Sequence, residues 1–426
     1  MMILKHIKRS VVAVLGFILI VSMIVSITAC SAFISKVKAE DLMEGVKPKA
    51  VDGKPIDDKF ISNTADFSIE LFKKSIAEKE NSLISPISVM LALAMTANGA
   101  ANETLSQMEE VLGKDIPLEE LNEYLYYYVN NLPSEEKSKL NIANSIWFRD
   151  DEDRLTVEKD FLQKNADYYN AAIYKSPFDD QTLQDINNWV KTNTDGMIDK
   201  ILEKIDDDSI MYLINAIVFD AEWKTVYNKS DIHEGEFTTI DGSKQTVEFM
   251  NSEESIYLDD GSATGFIKPY YNDKYSFVAL LPNEGISIKD YIETLSGEGF
   301  LNTVKSAQNT VVNAVMPKFS YDYKIKLNDA LKDLGMHDGL SAAKADFSRL
   351  GKSSRGNIYI GEVLHKTFIS VDELGTKAGA VTKVEMNESA PAELKIVRLD
   401  RPFVYAIIDN STNLPVFIGT VMNPKE

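Results

Sequence analysis

Glu373-Leu-Gly-Thr-Lys-Ala-Gly-Ala-Val-Thr-Lys-Val384 is patterned for the inside of a sheet, yet too weakly to hold itself there. From Thr376 onward, Thr376, Ala378, Ala380, Thr382, Val384 and Met386 fall on one side. Lys377, Gly379, Val381, Lys383, Glu385 and Asn387 fall on the other, mostly polar, side. Period-two alternation with a small, semi-apolar face fits a half-buried strand. Gly375, Gly379 and the two alanines lower the β-propensity, because they offer little side chain to pack on a pleated surface. The segment then runs into the loop-like Asn387-Glu-Ser-Ala-Pro391. Taken alone it reads either as an edge strand followed by a surface loop or as a strand kept outside a sheet it is built to enter.

The flanks narrow the choice. Ile358-Tyr-Ile-Gly-Glu-Val-Leu-His-Lys-Thr-Phe-Ile-Ser-Val-Asp372 is a long β-patterned run leading into Glu373. Downstream, Arg401-Pro-Phe-Val-Tyr-Ala-Ile-Ile-Asp-Asn410 and Leu414-Pro-Val-Phe-Ile-Gly-Thr-Val-Met-Asn-Pro424 read as two buried strands joined by a turn at Asn410 to Asn413. With its hinge Glu-x-Gly-Thr-x-Ala-x-Ala and terminal Arg-Pro-Phe and Phe-Ile-Gly-x-Val-x-Asn-Pro, the chain resembles the serpins, the serine protease inhibitor superfamily. The resemblance extends from about residue 60 to the C-terminus. It includes Asn81 to Ala100, Leu140 to Trp147, Ile186-Asn-Asn-Trp189 with Thr194, Leu213 to Trp223, and Val315-Met-Pro-Lys-Phe319 followed by Leu327 to Met336. It implies an α+β serpin fold with three β-sheets, about nine helices and an exposed reactive-centre loop, a large sheet resting on a buried helix.

The rest of the chain agrees with one large domain. No Gly/Ser- or Pro-rich linker and no internal repeat interrupts it after about residue 60. A net charge of -20 argues against nucleic acid as a partner, since phosphate neutralisation needs clustered Lys and Arg. The one cysteine is Cys30, so the globular part holds no disulfide. Lys5, Lys8 and Arg9 precede an apolar run from Val11 to Ile27, and Ile27-Thr-Ala-Cys30 resembles a bacterial lipobox, in which the cysteine is acylated and becomes the mature N-terminus. The competing reading is an uncleaved membrane anchor, because the run is nearly long enough to span. Both place the rest outside the cell, anchored at the outer face of the membrane or secreted. Residues 1–30 are thus expected to be a signal peptide, 31–59 a solvated tether and 60–426 the serpin domain.

Ser85-Pro86 reads as a helix start, with Ser85 as N-cap and Pro86 at the first helical position. Val89 to Ala97 is apolar almost all round, so that helix must be buried on every side, and Asn98-Gly99 ends it. Further helices are expected near 65–77, 103–112, 118–130, 183–194 and 327–334. Strands are expected at 141–148, 210–219, 277–281 and 311–315. The absence of regular βαβ alternation favours α+β over a doubly wound fold.

Catalytic chemistry finds little support. There is no Gly-x-Ser-x-Gly elbow, His233 is followed by Glu without a second histidine, and no phosphate loop occurs. No cofactor and no metal are expected. His365 sits mid-strand between Leu364 and Phe368, which points to a structural role. The resemblance places Ser85, Ser88, Asn215 and His365 in a polar cluster beneath the centre of the main sheet, and Trp223 at its top, where loop entry begins. An ordinary aromatic core position is the alternative for Trp223.

The resemblance implies a suicide-substrate inhibitor acting as a monomer on serine proteases, with Glu373, Gly375, Thr376, Ala378, Gly379 and Ala380 as the hinge that enters the sheet. Counting from Glu373 places the scissile bond at Ser389–Ala390; Glu388–Ser389 is the alternative, and counting back from Arg401 gives a position about two residues later. Small residues there suit elastase- or subtilisin-like enzymes. Lys377 stands where an acidic residue is common and Ala221 where glycine is common; neither blocks insertion. The alternatives are a non-inhibitory serpin-like surface binding protein and, from another class, a lipid-anchored hydrolase.

Overall fold

The computed structural model describes residues 37–150, 154–376 and 394–425. The chain divides into two units, Met1–Lys38 and Ala39–Glu426, and every described strand belongs to the second.

The main sheet has seven strands in the order β1 (Glu40–Asp41), β5 (Ala172–Ser176), β3 (Ser138–Arg149), β6 (Met211–Glu222), β15 (Gly375–Thr376), β14 (Glu362–Val371) and β12 (Phe319–Lys326). A second sheet of nine strands runs β16 (Lys395–Arg398), β11 (Gln308–Pro317), β8 (Lys244–Asp259), β9 (Ala263–Pro269), β10 (Tyr275–Pro282), β17 (Phe403–Asp409), β18 (Pro415–Val421) and β2 (Ser82–Ile84), with β7 (Ile232–Thr238) paired to β8. A two-stranded piece joins β13 (Gly351–Ser353) to β4 (Leu155–Val157). With three sheets and helices segregated from them, the fold is α+β, with the number of sheets the resemblance implied.

Helix Pro86–Ala97 explains the position of the main sheet. All twelve of its residues are buried, and it packs against β3, β6 and β18, between the two large sheets. A helix apolar on every side has no face to offer water, so it ends up in the centre. Pro86 occupies the first turn and Ser85 the N-cap position, as expected, but the Ser85 side chain makes no capping bond.

The expected strands and helices are present with ends shifted by a few residues. The run from Ile358 becomes a strand only at Glu362. Helices Lys159–Tyr169, Ile288–Thr294 and Gly297–Lys305 were not foreseen; the last two begin at Ser287 and Ser296, whose hydroxyls accept from Asp290 and Gly299 N–H groups.

The solvated tether expected over 31–59 requires correction from Ala39 onward. The Ala39 N–H donates to the Asp185 carboxylate at 2.8 Å, and β1 pairs antiparallel with β5 (Glu40↔Lys175, Asp41↔Tyr174). Further along, the Lys54 N–H donates to the Glu123 carbonyl at 3.1 Å and its ammonium lies 4.5 Å over the Tyr124 ring. The first long helix starts at Asp58, earlier than expected, because Asp57 accepts from the Phe60 N–H and from the Tyr124 hydroxyl. Composition and periodicity report apolar burial; this segment is held by main-chain pairing and single polar contacts, which leave no periodic trace.

The central feature is a split in the main sheet. β6 and β14 run parallel and pair directly from Tyr212↔Glu362 to Ile217↔Thr367. Above that point β15 sits between them, antiparallel to both: Gly375↔Glu222 and Thr376↔Ala221 on one side, Thr376↔Val371 on the other. Gly375 fits because a Cβ there would lie 2.0 Å from the Ala221 carbonyl oxygen.

Candidate functional site

At the top of the split, Asp372 accepts from the N–H groups of Leu374 (2.8 Å) and Gly375 (3.2 Å), turning the chain out of β14 and back into β15. Burial holds the Asp372 carboxyl above the usual range. Thr376 is 1 % exposed, and its hydroxyl lies 2.6 Å from that of Tyr270. Trp223 stacks on Tyr270 with ring centroids 4.4 Å apart. Its indole N–H donates to the Asp372 carbonyl at 2.8 Å and its main-chain N–H to the Leu374 carbonyl at 2.9 Å. Trp223 therefore both fills core space and cradles the segment entering the sheet. Glu373 bonds Lys318 at 2.7 Å, which holds its carboxyl below the usual range.

Behind this stack lies a charged pair. Lys268 is buried and bonds Glu254 at 2.7 Å, with the rings of Tyr227 and Trp223 at 4.4 and 5.4 Å from its ammonium. Burial alone would lower its pKa, but Tyr227 and Glu254 beside it hold the value above the usual one. The Tyr227 main-chain N–H donates to the Glu373 carbonyl at 3.0 Å, so this pair supports the hinge from below.

At the centre of the sheet, directly below the split, Ser85, Ser88, Asn215 and His365 come together, each fully buried. The Ser85 N–H donates to His365 Nε2 at 3.0 Å, which makes Nε2 the acceptor and leaves Nδ1–H to donate to Asn215 Oδ1. The Asn215 amide donates to Ser88 Oγ and to Asn144 Oδ1. Because His365 belongs to β14 and Asn215 to β6, their bond crosses the line along which the sheet is split. Among the described residues the Ser85 hydroxyl has no hydrogen-bond partner.

Burial pushes the His365 pKa down from 6.5 to about 3. A histidine held neutral when folded but protonated when unfolded gives stability that is complete above pH 6.5 and lost progressively as pH falls toward 3. Acidification from pH 7 to 5 is expected to cost about 2 kcal/mol through this group alone. His365→Gln, which keeps an acceptor and a donor but cannot titrate, should flatten that part of the pH profile. Equal pH dependence of the urea midpoint in parent and variant would show that His365 is not responsible.

The sequence singled out Trp223 and the four cluster residues but not Asn144, Tyr270, Lys268 or Glu254. Two had a visible signal: Asn144 is a polar residue in a strand expected from its apolar neighbours, and Lys268 interrupts the apolar run Phe266-Ile-Lys-Pro-Tyr270. Cys30, Ala378, Gly379, Ala380, Glu388, Ser389 and Ala390 lie outside the described residues. Among the described residues no group of His, Cys, Asp and Glu could hold a metal ion, and no helix is long and apolar enough to cross a membrane.

Comparison with known proteins gives a coherent picture. The family model described as Serpin (serine protease inhibitor) matches residues 62–424. The crystal structure of a thermophilic serpin, tengpin, in the native state is similar at 62% identity over 91% of this chain and 100% of that one, with a TM-score of 0.88. The latent-state structure of tengpin, at 63% identity over 87% and 99% of the two chains, gives a TM-score of 0.78. An uncharacterized serpin-like protein of Thermococcus kodakarensis is 29% identical over 84% of each chain.

Proposed function

The chain belongs to the serpin family, and from that premise we propose that it is an inhibitor that traps serine proteases by inserting its cut loop into the main sheet. The observation that carries this reading is β15: Gly375 and Thr376, from the start of the hinge, stand between β6 and β14, with Thr376 paired to both. Continuing its register by two residues at a time brings Ala378 between Phe219 and Ile369, Ala380 between Ile217 and Thr367, and Thr382 between Asn215 and His365. Each inward position of the entering strand is thus small until it reaches the polar cluster, where a hydroxyl arrives beside an amide and an imidazole. Insertion must break the His365–Asn215 bond, and Thr382 offers both partners a replacement.

An elastase- or subtilisin-like protease attacks near Ser389–Ala390 and forms an acyl-enzyme. The freed segment to about Glu388 enters the split and carries the enzyme along, on the order of 40 Å for the twelve residues beyond Thr376 at about 3.3 Å each. In this reading no residue of the chain acts as a catalyst. Cys30 anchors the protein by lipid to the outer face of the membrane, and Cys30→Ala should abolish incorporation of a labelled fatty acid into the protein.

Mixing the purified protein with subtilisin or elastase and running a denaturing gel tests the proposal. A covalent adduct is expected. Loop cleavage without an adduct would instead favour a non-inhibitory binding protein.

A further inference from the structure

A cavity lies behind the hinge where the second sheet is irregular. β11 pairs antiparallel with β8, but three steps along β11, from Asn309 to Val312, cover only two along β8, from Ile256 to Glu254. An extra residue of this kind bends its strand and interrupts the ladder. The cavity, about 320 Å³, is walled by β8, β9, β11 and the connection from β6 to β7. That volume is at the lower end of the roughly 300–1,000 Å³ typical of small-molecule sites, so an occupant has to be small.

Its floor carries the Lys268–Glu254 pair, whose side chains are 2 % and 9 % exposed. Glu254 Oε1 accepts from the Lys268 ammonium at 2.7 Å and from the Ser252 hydroxyl at 2.6 Å. Among the described residues no donor reaches the other oxygen, Oε2, and that atom is not sealed from the cavity. A carboxylate so deeply buried, with half of its accepting capacity turned to a cavity, is built to take a further donor. The charge of the walls says which kind. Asp231, Glu253, Glu254 and Lys268 line the space, three carboxylates against one ammonium, a formal charge of -2. Glu253 stands opposite Asn313 in the ladder, both at the exposed rim, and Leu394, 52 % exposed, adds an apolar wall. A divalent metal needs about six oxygens, and among the described residues no group of His, Cys, Asp and Glu could hold one. A guanidinium is matched best by two free oxygens of one carboxylate, and here one is taken. A primary ammonium needs one strong acceptor with weaker ones beside it, which Glu254 Oε2 and Ser252 Oγ supply.

We infer that this cavity is a binding site for a short linear aliphatic diamine. One ammonium meets Glu254 Oε2 at the floor, the methylenes lie against Leu394, and the second ammonium points toward Glu253 and Asp231. The site borders the hinge, since the main-chain N–H of Tyr227, one of its walls, donates to the Glu373 carbonyl. It stands whether or not the chain traps proteases.

The test is isothermal titration calorimetry of the full uncut chain with cadaverine, in salt that screens the remaining acidic surface beyond about 8 Å. One site with a dissociation constant of about 0.1–1 mM is expected from a charge-assisted bond and a few methylenes. Pentanoate and pentanol, of the same length without the cation, should give no binding. Pentylamine, lacking the second ammonium, should bind about 2- to 5-fold more weakly than cadaverine. Glu254→Gln should abolish binding, but it also leaves Lys268 buried without its counter-charge, so the exposed rim carries the decision. Asn313→Arg puts a permanent cation beside Glu253 and should weaken cadaverine about tenfold. Glu253→Gln should weaken it about 2- to 5-fold. Both rim variants should keep the parent's urea midpoint. No binding by the parent at about 10 mM cadaverine overturns the site, as does equal binding of pentanoate. Unchanged affinity in Asn313→Arg overturns it too, because the amine would then sit elsewhere on the acidic surface.

Discussion

Thr376→Arg is expected to turn the inhibitor into an ordinary substrate. Once the acyl-enzyme forms, insertion races against hydrolysis of the ester, and the rest of the strand must follow Gly375 and Thr376, which already stand in the sheet. Thr376 is almost wholly buried against Tyr270, which itself stacks on Trp223. An arginine in that space would have to displace the stack or stay outside the sheet, since burying an unpaired charge costs several kcal/mol. If about 3 kcal/mol of that cost falls on the barrier to insertion, the step slows on the order of 100-fold. Hydrolysis then wins: the loop is still cut, but the number of inhibitor molecules consumed per protease trapped rises from near one to on the order of ten or more. Ala378→Pro should act alike, because proline removes a ladder donor from a strand that must pair on both sides. Thr376→Val, which loses only the Tyr270 hydroxyl contact, should still trap protease and serves as the control. Undiminished denaturation-resistant adduct with Thr376→Arg would refute the role given to the hinge.

How much of this was legible beforehand follows from what each feature asks of the sequence. The buried helix was readable because an apolar run from Val89 to Ala97 has only one kind of place to go. β6, β17 and β18 were readable for a similar reason, being apolar stretches bounded by turn residues. The alternation from Thr376 announced a strand, but not that Gly375 and Thr376 already lie in the sheet; that depends on a turn made by the Asp372 carboxylate and on Gly375 clearing the Ala221 carbonyl. Ser85 was readable only in part. It stands at the N-cap, as serine before Pro-Ile-Ser suggests, but its N–H donates to a histidine 280 positions away, a partner no local rule can supply. The strand at Glu40–Asp41 escaped notice because two residues pairing on an edge need no hydrophobic pattern.

Cutting the loop near Ser389 should raise the melting temperature on the order of 20 °C. Before cutting, β6 and β14 share one parallel ladder over six residue pairs, from Tyr212↔Glu362 to Ile217↔Thr367. Afterwards, the register of β15 places residues 376 to about 385 against β6 from Ala221 to Tyr212, and against β14 from Val371 to Glu362. One ladder is exchanged for two longer antiparallel ones, a type of pairing slightly more stable per residue. The net gain of roughly ten hydrogen bonds at about 0.5–1.5 kcal/mol each is on the order of 10 kcal/mol. At about 2–4 °C for each kcal/mol in a domain of 150–250 residues, and somewhat less in a larger one, that corresponds to the stated rise. The polar cluster supplies an internal check on register. Thr382→Lys would drive a charge between Asn215 and His365, so the cut variant should gain distinctly less stability than the cut parent. Thr382→Ser, which keeps the hydroxyl, should gain nearly all of it. A shift of the register by one residue would bring Val381 or Lys383 to that point instead and reverse the order of effects among the three positions. Differential scanning calorimetry on cut and uncut pairs therefore measures both whether the strand enters and where it stops.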